Sequence, residues 1–298
     1  MGNILYTHDE DFFSRDTRES FYWAGFIAAD GCITEDSRRV KKKTLAIKLA
    51  RKDESHLREF KKAIKYTGKI FRHYELSQKD GRKLYRSQLR ITISKSNVAY
   101  ALARFNIIPR KSLIYTFPEW LKKHPLVGHF IRGYFDGDGC ASIDKKSKTG
   151  TELLALSFCG TEKFLNICQE VIMENCDIKT ERTIKKHSGV FVLRFHGTQM
   201  SLSVGRFIYT NSDNLRLERK FKIYTKFEYR RDFVREKSVI GIDVNTGKIL
   251  KFDSILDAAK GIGKCSSGIS HCLSGRVTTC GGYFWKYDTE RKAKVKYK

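Results

Sequence analysis

The spacing of hydrophobic residues predicts alternating helices and strands along most of the chain. Leu45, Ile47 and Leu49 alternate with polar and small residues across 44–51, which is the period of a half-buried strand. Further strands are predicted at 69–76, 83–94, 154–158, 179–186 and 190–196. Apolar residues three or four positions apart predict helices with the buried faces Leu57, Phe60, Ile64; Val98, Leu102, Phe105; Phe164, Cys168, Ile172; and Met200, Val204, Phe207.

One apolar stretch occurs twice, as WAGFIAADG at 23–31 and as IRGYFDGDG at 131–139. In both halves the order is helix, strand, strand, helix, strand, strand, helix, and the two copies are 108 positions apart (138 − 30). The chain therefore contains a duplicated α+β unit. The small residues of the two copies are Gly25 and Ala29, and Gly133 and Gly137; the final acids are Asp30 and Asp138.

The small residues favour direct packing of the two repeated helices. Residues four apart share a helix face, and a face of Gly and Ala lets another backbone approach closely. Ser20 is predicted to cap the first helix, and Gly31 and Gly139 to end the two helices. Asp30 and Asp138 would then emerge side by side. Each lies at a partly negative helix end, and a divalent cation such as Mg²⁺ would relieve their repulsion.

A lysine stands at a matched distance from each acid. Lys111 follows Asp30 by 81 positions (111 − 30), and Lys220 follows Asp138 by 82 (220 − 138). Each lysine is preceded by an arginine. An Arg-Lys pair is common in solvated loops of a basic chain, but the matched offsets favour a shared role for the two lysines.

Composition points to a polyanionic partner. The 298 residues carry 58 basic and 33 acidic side chains, a formal net charge of +25 spread along the whole chain. No apolar run is long enough to span a bilayer, and 1–20 does not have the composition of a secretory signal. The eight cysteines form no C-x-x-C pair and are interpreted as reduced thiols. A cytoplasmic location is expected, in a bacterial or phage-infected cell or in an organelle.

The character of the chain changes near its C-terminal end. Residues 227–237 are highly charged and are interpreted as a linker. In the following segment, 238–298, Ser254 begins a capping-box-like sequence that opens a helix. Ser266 and Ser267 are predicted to cap a second helix, and a closing strand is predicted at 283–287. This pattern predicts a small α/β module.

The repeated motif resembles that of the LAGLIDADG homing endonucleases in their single-chain, two-motif form, over roughly residues 18–230. The resemblance implies two αββαββα halves, 1–111 and 112–226, with pseudo-twofold symmetry and two DNA-binding antiparallel sheets. It also implies that Asp30 and Asp138 bind divalent metal and that Lys111 and Lys220 line the catalytic pocket. The chain departs from the family motif at Trp23, Ala28, Ile131 and Arg132.

The segment 238–298 resembles the intron-encoded nuclease repeat, a helix-turn-helix-like DNA-binding unit. The resemblance rests on Ser254-x-x-x-Ala258-Ala259 and on the final Gly-Tyr-x-Trp. The alternative is a small packing domain with solvated serines. On the DNA-binding interpretation, the residues that approach DNA are Ser266, Ser267, Ser270, His271 and Arg276.

The favoured hypothesis is a monomeric, Mg²⁺-dependent, site-specific endonuclease that cuts both strands of a long DNA target. The outward faces of the predicted strands would contact phosphates and the major groove. The candidate contacts are Lys48, Arg51, Arg86, Gln88, Arg90, Arg194 and His196. The alternatives left open are an RNA maturase that assists splicing of an intron RNA and a non-catalytic DNA-binding regulator.

Overall fold

The structure, a computed structural model, describes residues 6–35, 42–79, 82–145, 150–235 and 238–288. The chain divides into two compact units, Met1–Tyr224 and Thr225–Lys298. Within the first unit, the predicted order of elements is confirmed in both halves. The first half contains α1 (Arg18–Asp30), β1 (Gly31–Glu35), β2 (Lys43–Ala50), α2 (Glu54–Ala63), β3 (Phe71–Lys79), β4 (Arg82–Ile93) and α3 (Ser96–Ala103).

The second half repeats this arrangement. It contains α4 (Val127–Asp138), β5 (Gly139–Lys145), β6 (Glu152–Gly160), α5 (Glu162–Cys176), β7 (Lys185–His187), β8 (Val190–His196) and α6 (Thr198–Tyr209). The two sheets are antiparallel and have the same strand order, β1-β2-β4-β3 and β5-β6-β8-β7. The duplicated sequence therefore forms a duplicated fold.

The motif helices α1 and α4 pack against each other at the centre of the first unit, and glycine makes their close approach feasible. A Cβ atom on Gly25 would lie 2.0 Å from the carbonyl oxygen of Phe130, and one on Gly133 would lie 1.9 Å from that of Tyr22. Such distances are far inside van der Waals contact. Any side chain at either position would force the two helix backbones apart.

The two motif helices begin and end differently from the prediction. Thr17, not Ser20, is the N-cap of α1; Ser20 completes the capping box, its N–H donating to Thr17 Oγ1 at 3.1 Å. Gly31 and Gly139 do follow the last helical residues, but with extended backbones at φ −88° and −89°. Glycine is needed there for space, because a Cβ would lie within 2.5 Å of Ile27 or Phe135.

Two further boundaries differ from the sequence prediction. The strand expected at 179–186 is the short edge strand β7, which starts only at Lys185 and joins β8 through a turn at Ser188 and Gly189 with positive φ. The segment 227–237, interpreted as a linker, is helical as far as Arg235. It forms the end of α7 (Glu218–Arg235), and residues 236–237 lie outside the described part.

The second unit contains a three-stranded antiparallel sheet and two short helices. The elements are β9 (Val239–Asp243), β10 (Ile249–Phe252), α8 (Ile255–Gly261), α9 (Ser266–Leu273) and β11 (Tyr283–Tyr287), with sheet order β10-β9-β11. Ser254 caps α8 as predicted, accepting the N–H of Asp257 at 3.1 Å. Cys265, rather than Ser266 or Ser267, is the N-cap of α9. The hydrophobic core of the second unit is formed by Val239, Ala258, Ala259, Ile269, Cys272 and Trp285.

Within the described ranges, no helix combines the length and hydrophobicity that crossing a bilayer requires. The eight cysteines, all of which lie in described segments, are free thiols.

Candidate active site

The final acids of the two motifs lie at the same end of the packed helices. Asp30 ends α1 and Asp138 ends α4. A Cβ built on Gly137, the residue before Asp138, would lie 3.5 Å from Asp30 Oδ2 and 2.4 Å from the Ala29 side chain. The small residues of the two motifs therefore bring the two carboxylates into one site.

The surroundings of the site disfavour negative charge on both acids. Burial raises the pKa of Asp30 to about 6, and the nearby charge of Asp138 adds to the effect. Burial also raises the pKa of Asp138. Both side chains reach solvent at the helix ends, but protein atoms crowd their other sides. Neighbouring lysines offset part of this cost.

Lys220 is anchored to the end of α4. Its ammonium donates to the carbonyl oxygens of Phe135, Asp136 and Gly137 at 2.7, 2.8 and 3.1 Å. The side chain is 3% exposed, and burial lowers the pKa of Lys220 to about 8. A cation bound to these carbonyls stabilises the negative end of the helix.

Lys111, the matched residue of the first half, is placed differently. It lies in a 3₁₀ turn, Lys111–Leu113, and is 6% exposed. Its ammonium makes no hydrogen bond within the described part of the chain and lies 5.9 Å from the centre of the Tyr115 ring. With Asp138 it lines a cleft of about 510 Å³ that also includes Tyr134 and Cys159. Its ammonium is therefore available to a ligand in that cleft.

The lysines pair electrostatically across the two halves. Asp138 is the acid that most strongly opposes the lowering of the Lys111 pKa by burial. Conversely, Lys220 is the cation that most strongly opposes the raised pKa of Asp30. The offsets in sequence, which link each lysine to the acid of its own half, do not predict this exchange.

The two carboxylates fit a hard divalent cation. Both pKa values are raised, so both groups would gain from a metal that neutralises them. The described residues contain no group of three or more His, Cys, Asp and Glu side chains arranged to hold a metal. A cation here would therefore take its other ligands from water and substrate oxygens, as Mg²⁺ commonly does.

The sequence of the first half matches the family model of the LAGLIDADG-like domain over residues 19–105. The chain contains a LAGLIDADG-like domain. Residues 240–286 match a second model, described as a DNA endonuclease I-HmuI-like, NUMOD-like domain. The second half, which lies outside the matched residues, repeats the motif and the strand order of the first.

Several solved structures are similar to the chain at low identity. The homing endonuclease I-WcaI bound to its DNA recognition sequence is 12% identical with a TM-score of 0.49, over 72% of this chain and 91% of that one. The LAGLIDADG meganuclease I-AabMI bound to uncleaved DNA is 17% identical with a TM-score of 0.44, over 72% and 90%. The I-LtrWI LAGLIDADG homing endonuclease bound to target DNA is 14% identical with a TM-score of 0.45, over 75% and 91%. Comparison with curated proteins gives no match.

In the first LAGLIDADG-like half, basic side chains share one face of the sheet. Lys48 on β2 lies directly opposite Arg90 on β4, and Ala50 lies opposite Gln88. Like charges in directly opposed positions destabilise a sheet unless an anion lies between them. Arg51, in the 3₁₀ turn after β2, is exposed. Arg86 lies on β4, opposite Glu75, and its side chain is outside the described part.

In the second half the two candidate contacts share one acid. Arg194 Nη2 donates to both carboxylate oxygens of Asp144 at 2.7 and 2.8 Å, and His196 Nε2 lies 3.1 Å from the same group. Arg194 and His196 lie opposite Ser157 and Ala155 in the sheet. Asp144, one residue before the end of β5, is not among the residues predicted from the sequence.

In the NUMOD-like unit, the candidate DNA contacts lie on one helix and the turn that follows it. Ser266, Ser267, Ser270 and His271 are exposed on α9, and Arg276 is exposed just after its end. Ile269 and Cys272 point to the core on the other side of the helix. The exposed side of α9 therefore points away from the core of this unit, and within it Ser267 Oγ donates to Cys265 Sγ at 3.2 Å.

Two polar contacts near the site, one partly and one fully buried, were not predicted from the sequence. Arg219 binds Asp53, the residue before α2, at 3.0 Å and so joins the halves. Arg132, fully buried in α4, donates to the carbonyl oxygens of Leu215 and Ile208 at 2.8 and 3.0 Å. A clue to the second was the replacement of the motif alanine by arginine between apolar residues of α4.

Proposed function

We propose that the protein is a site-specific DNA endonuclease that hydrolyses both strands of a long duplex. The observation that carries this proposal is the meeting of Asp30 and Asp138 at one end of the paired motif helices, with a lysine beside each. The match to the LAGLIDADG-like domain supports the same reaction class. The proposed substrate also accounts for the net charge of +25.

The residues of the site would divide the chemistry of phosphodiester hydrolysis. A divalent cation held by Asp30 and Asp138, for which we propose Mg²⁺, would activate water and neutralise charge at the phosphate. The Lys111 ammonium, which faces the cleft, would donate to a phosphate oxygen or orient water. Lys220 would hold the end of α4 in place and add positive charge beside Asp30.

The flanking surfaces would supply affinity and sequence preference. Lys48 and Arg90, two positive side chains that lie opposite each other on one sheet face, would bind phosphates or base edges, as would Arg194 and His196 in the other half. In the NUMOD-like unit, the exposed side of α9 would add a further contact with DNA.

We further propose that a single chain acts as a monomer, because both acids and both lysines of the site come from one chain. The functional divisions would be the two halves, 1–111 and 112–226, the connecting segment, 227–237, and the C-terminal DNA-binding module, 238–298.

The proposal is tested by replacing each acid with its amide. Asp30→Asn and Asp138→Asn should each abolish double-strand cleavage, because the amide is a poor ligand for a hard cation. DNA binding should be retained, because the basic faces are unchanged. Cleavage is read from end-labelled duplexes and binding from electrophoretic mobility. Cleavage at the wild-type rate by either variant would rule out the proposed site.

A further inference from the structure

Asp136 is a buried acid that the proposed reaction does not use. It lies on α4, two positions before Asp138, and is 1% exposed. Its Oδ2 accepts hydrogen bonds from the Tyr22 hydroxyl at 2.8 Å and from the Leu217 N–H at 2.7 Å. The Tyr22 hydroxyl also lies 2.9 Å from His56 Nε2. Burial of a carboxylate costs free energy, and hydrogen bonds offset part of that cost. The two bonds to Oδ2 therefore fix Asp136 to Tyr22 and to the backbone of Leu217.

The element held by Asp136 is the start of α7, which carries Lys220. Leu217 immediately precedes α7, and its carbonyl accepts the first backbone hydrogen bonds of the helix, from the N–H groups of Lys220 and Phe221 at 3.0 and 3.2 Å. Lys220 in turn donates from its ammonium to the carbonyl of Asp136 itself and to those of its two neighbours. Asp136 therefore holds the helix start, and the lysine of that helix returns to the same turn of α4.

Among the described residues of the first half, the positions equivalent to this network are apolar. At the 108-residue spacing of the repeat, Ala28 corresponds to Asp136, Phe130 to Tyr22 and Phe164 to His56. All three counterparts are apolar. The ammonium of Lys111, the counterpart of Lys220, makes no hydrogen bond within the described residues and faces the cleft. Pseudo-symmetric positions thus hold one lysine by a polar network and leave the other facing a cleft.

We infer that Asp136 is a positioning residue for Lys220 and supports only one of two unequal catalytic centres. Lys220 binds the carbonyl oxygen of Gly137, whose Cβ position lies 3.5 Å from Asp30 Oδ2, so it belongs to the centre of Asp30. Lys111 lines the same cleft as Asp138 and belongs to the other centre. The inference rests on the proposed endonuclease function and adds a specific asymmetry to it. Loss of the Asp136 side chain should release the start of α7 and displace Lys220, while Lys111 keeps its place.

The test compares the two strands of one cognate duplex, each labelled at its own end. Asp136→Ala should slow cleavage of one strand by about 100-fold, the usual effect of a misplacement near 1 Å, and leave the other strand little changed. The product would be nicked DNA. Asp136→Asn should cleave both strands at near the wild-type rate, because its amide oxygen can accept both hydrogen bonds that Oδ2 accepts.

Two other variants separate positioning from general destabilisation. Tyr22→Phe removes one hydrogen bond to Asp136 but leaves the Leu217 contact, so cleavage of both strands should persist. Glu59→Gln, at an exposed position on α2, is the control for the substitution itself. Thermal unfolding of each variant identifies any that fails to fold. If Asp136→Ala folds poorly, Asp136→Leu, which fills the same space but lacks the acceptor that the Leu217 N–H uses, replaces it with the same expectation for the two strands.

The outcomes separate this inference from the function on which it rests. If the wild-type protein cleaves both strands and Asp136→Ala slows them equally, or slows neither, the positioning role is wrong and the endonuclease stands. The same conclusion follows if Asp136→Asn cleaves one strand as slowly as Asp136→Ala does. If the wild-type protein cleaves no duplex, the proposed function and this inference fall together.

Discussion

Asp30 is held in the native state at a cost to stability. Its pKa is raised from 3.8 to about 6 by burial and by Asp138, so the folded protein binds this proton more tightly than the unfolded chain. Ionisation of Asp30 therefore lowers the free energy of unfolding as pH rises from 3.8 through about 6, and the protein stays less stable by that amount at neutral pH. Such an electrostatic cost is expected where two neighbouring carboxylates form a binding site for a cation.

Replacement of this acid should therefore stabilise the metal-free protein. At neutral pH Asp30→Asn should add about 1 kcal/mol, a value discounted for the solvent exposure of the side chain, and raise the unfolding midpoint by roughly 2–4 °C. Excess Mg²⁺ should raise the midpoint of the wild-type protein and have much less effect on the variant. Calorimetry with and without Mg²⁺ measures both effects.

The pH dependence supplies the control for that experiment. Below the ordinary carboxyl pKa of 3.8 the difference between Asp30→Asn and wild type should vanish, since the native acid is then protonated. Glu59→Gln should show neither the gain at neutral pH nor the altered response to Mg²⁺. A fall in the midpoint of Asp30→Asn at neutral pH would contradict the electrostatic cost assigned to Asp30.

At the scale of elements, the packing of α1 on α4 depends on two glycines. A Cβ on Gly133 would meet the Tyr22 carbonyl oxygen at 1.9 Å, and backbone cannot move aside as a flexible side chain can. Gly133→Ala should destabilise the first unit by about 3 kcal/mol, the upper range for overpacking, and lower its unfolding midpoint by roughly 6 °C or more.

Gly128 provides a matched control on the same helix. A Cβ there would come no closer than 3.3 Å, to the Phe207 side chain, so Gly128→Ala should change stability by less than about 1 kcal/mol. Equal midpoints for the Gly128 and Gly133 variants would show that the close contact of α1 and α4 is not what stabilises the unit.

The sequence predicts elements well where a regular period marks them. Strands β2 and β4 lie within a residue of their predicted bounds, because their apolar residues alternate on a buried face. Strands β1 and β5 could not be delimited, since each begins at the glycine that ends a motif helix. β7 is shorter than predicted because it is a charged edge strand without a buried face.

The candidate site could be predicted only in part, for a similar reason. The acids belong to a repeated motif, and repetition makes them visible in one sequence. The exchange of lysines between halves joins residues 27 positions apart (138 − 111) and 190 apart (220 − 30), and the hydrogen bond from the Leu217 N–H to Asp136 spans 81 positions; no local pattern encodes these contacts. A comparison of the two motif copies at positions 28 and 136 was the available clue.

At the scale of the whole molecule, the duplication gives two similar halves with unequal interiors. The sheets have one strand order, yet only the second motif carries Arg132 and Asp136 as buried charges. Both make contacts within their own half that fix the segment before α7. A fused pair of repeats can diverge in this way, whereas two identical chains cannot. The two strands of an asymmetric DNA target would then meet different surroundings.

Cleavage selection on a randomised duplex library, with wild-type protein and Mg²⁺, tests the central claim most directly. The account predicts that the recovered ends define one long target sequence, cut on both strands close together, and that Asp30→Asn and Asp138→Asn recover none. The account is contradicted if wild-type protein binds the library but cleaves no member, or if a variant lacking both acids recovers the same ends.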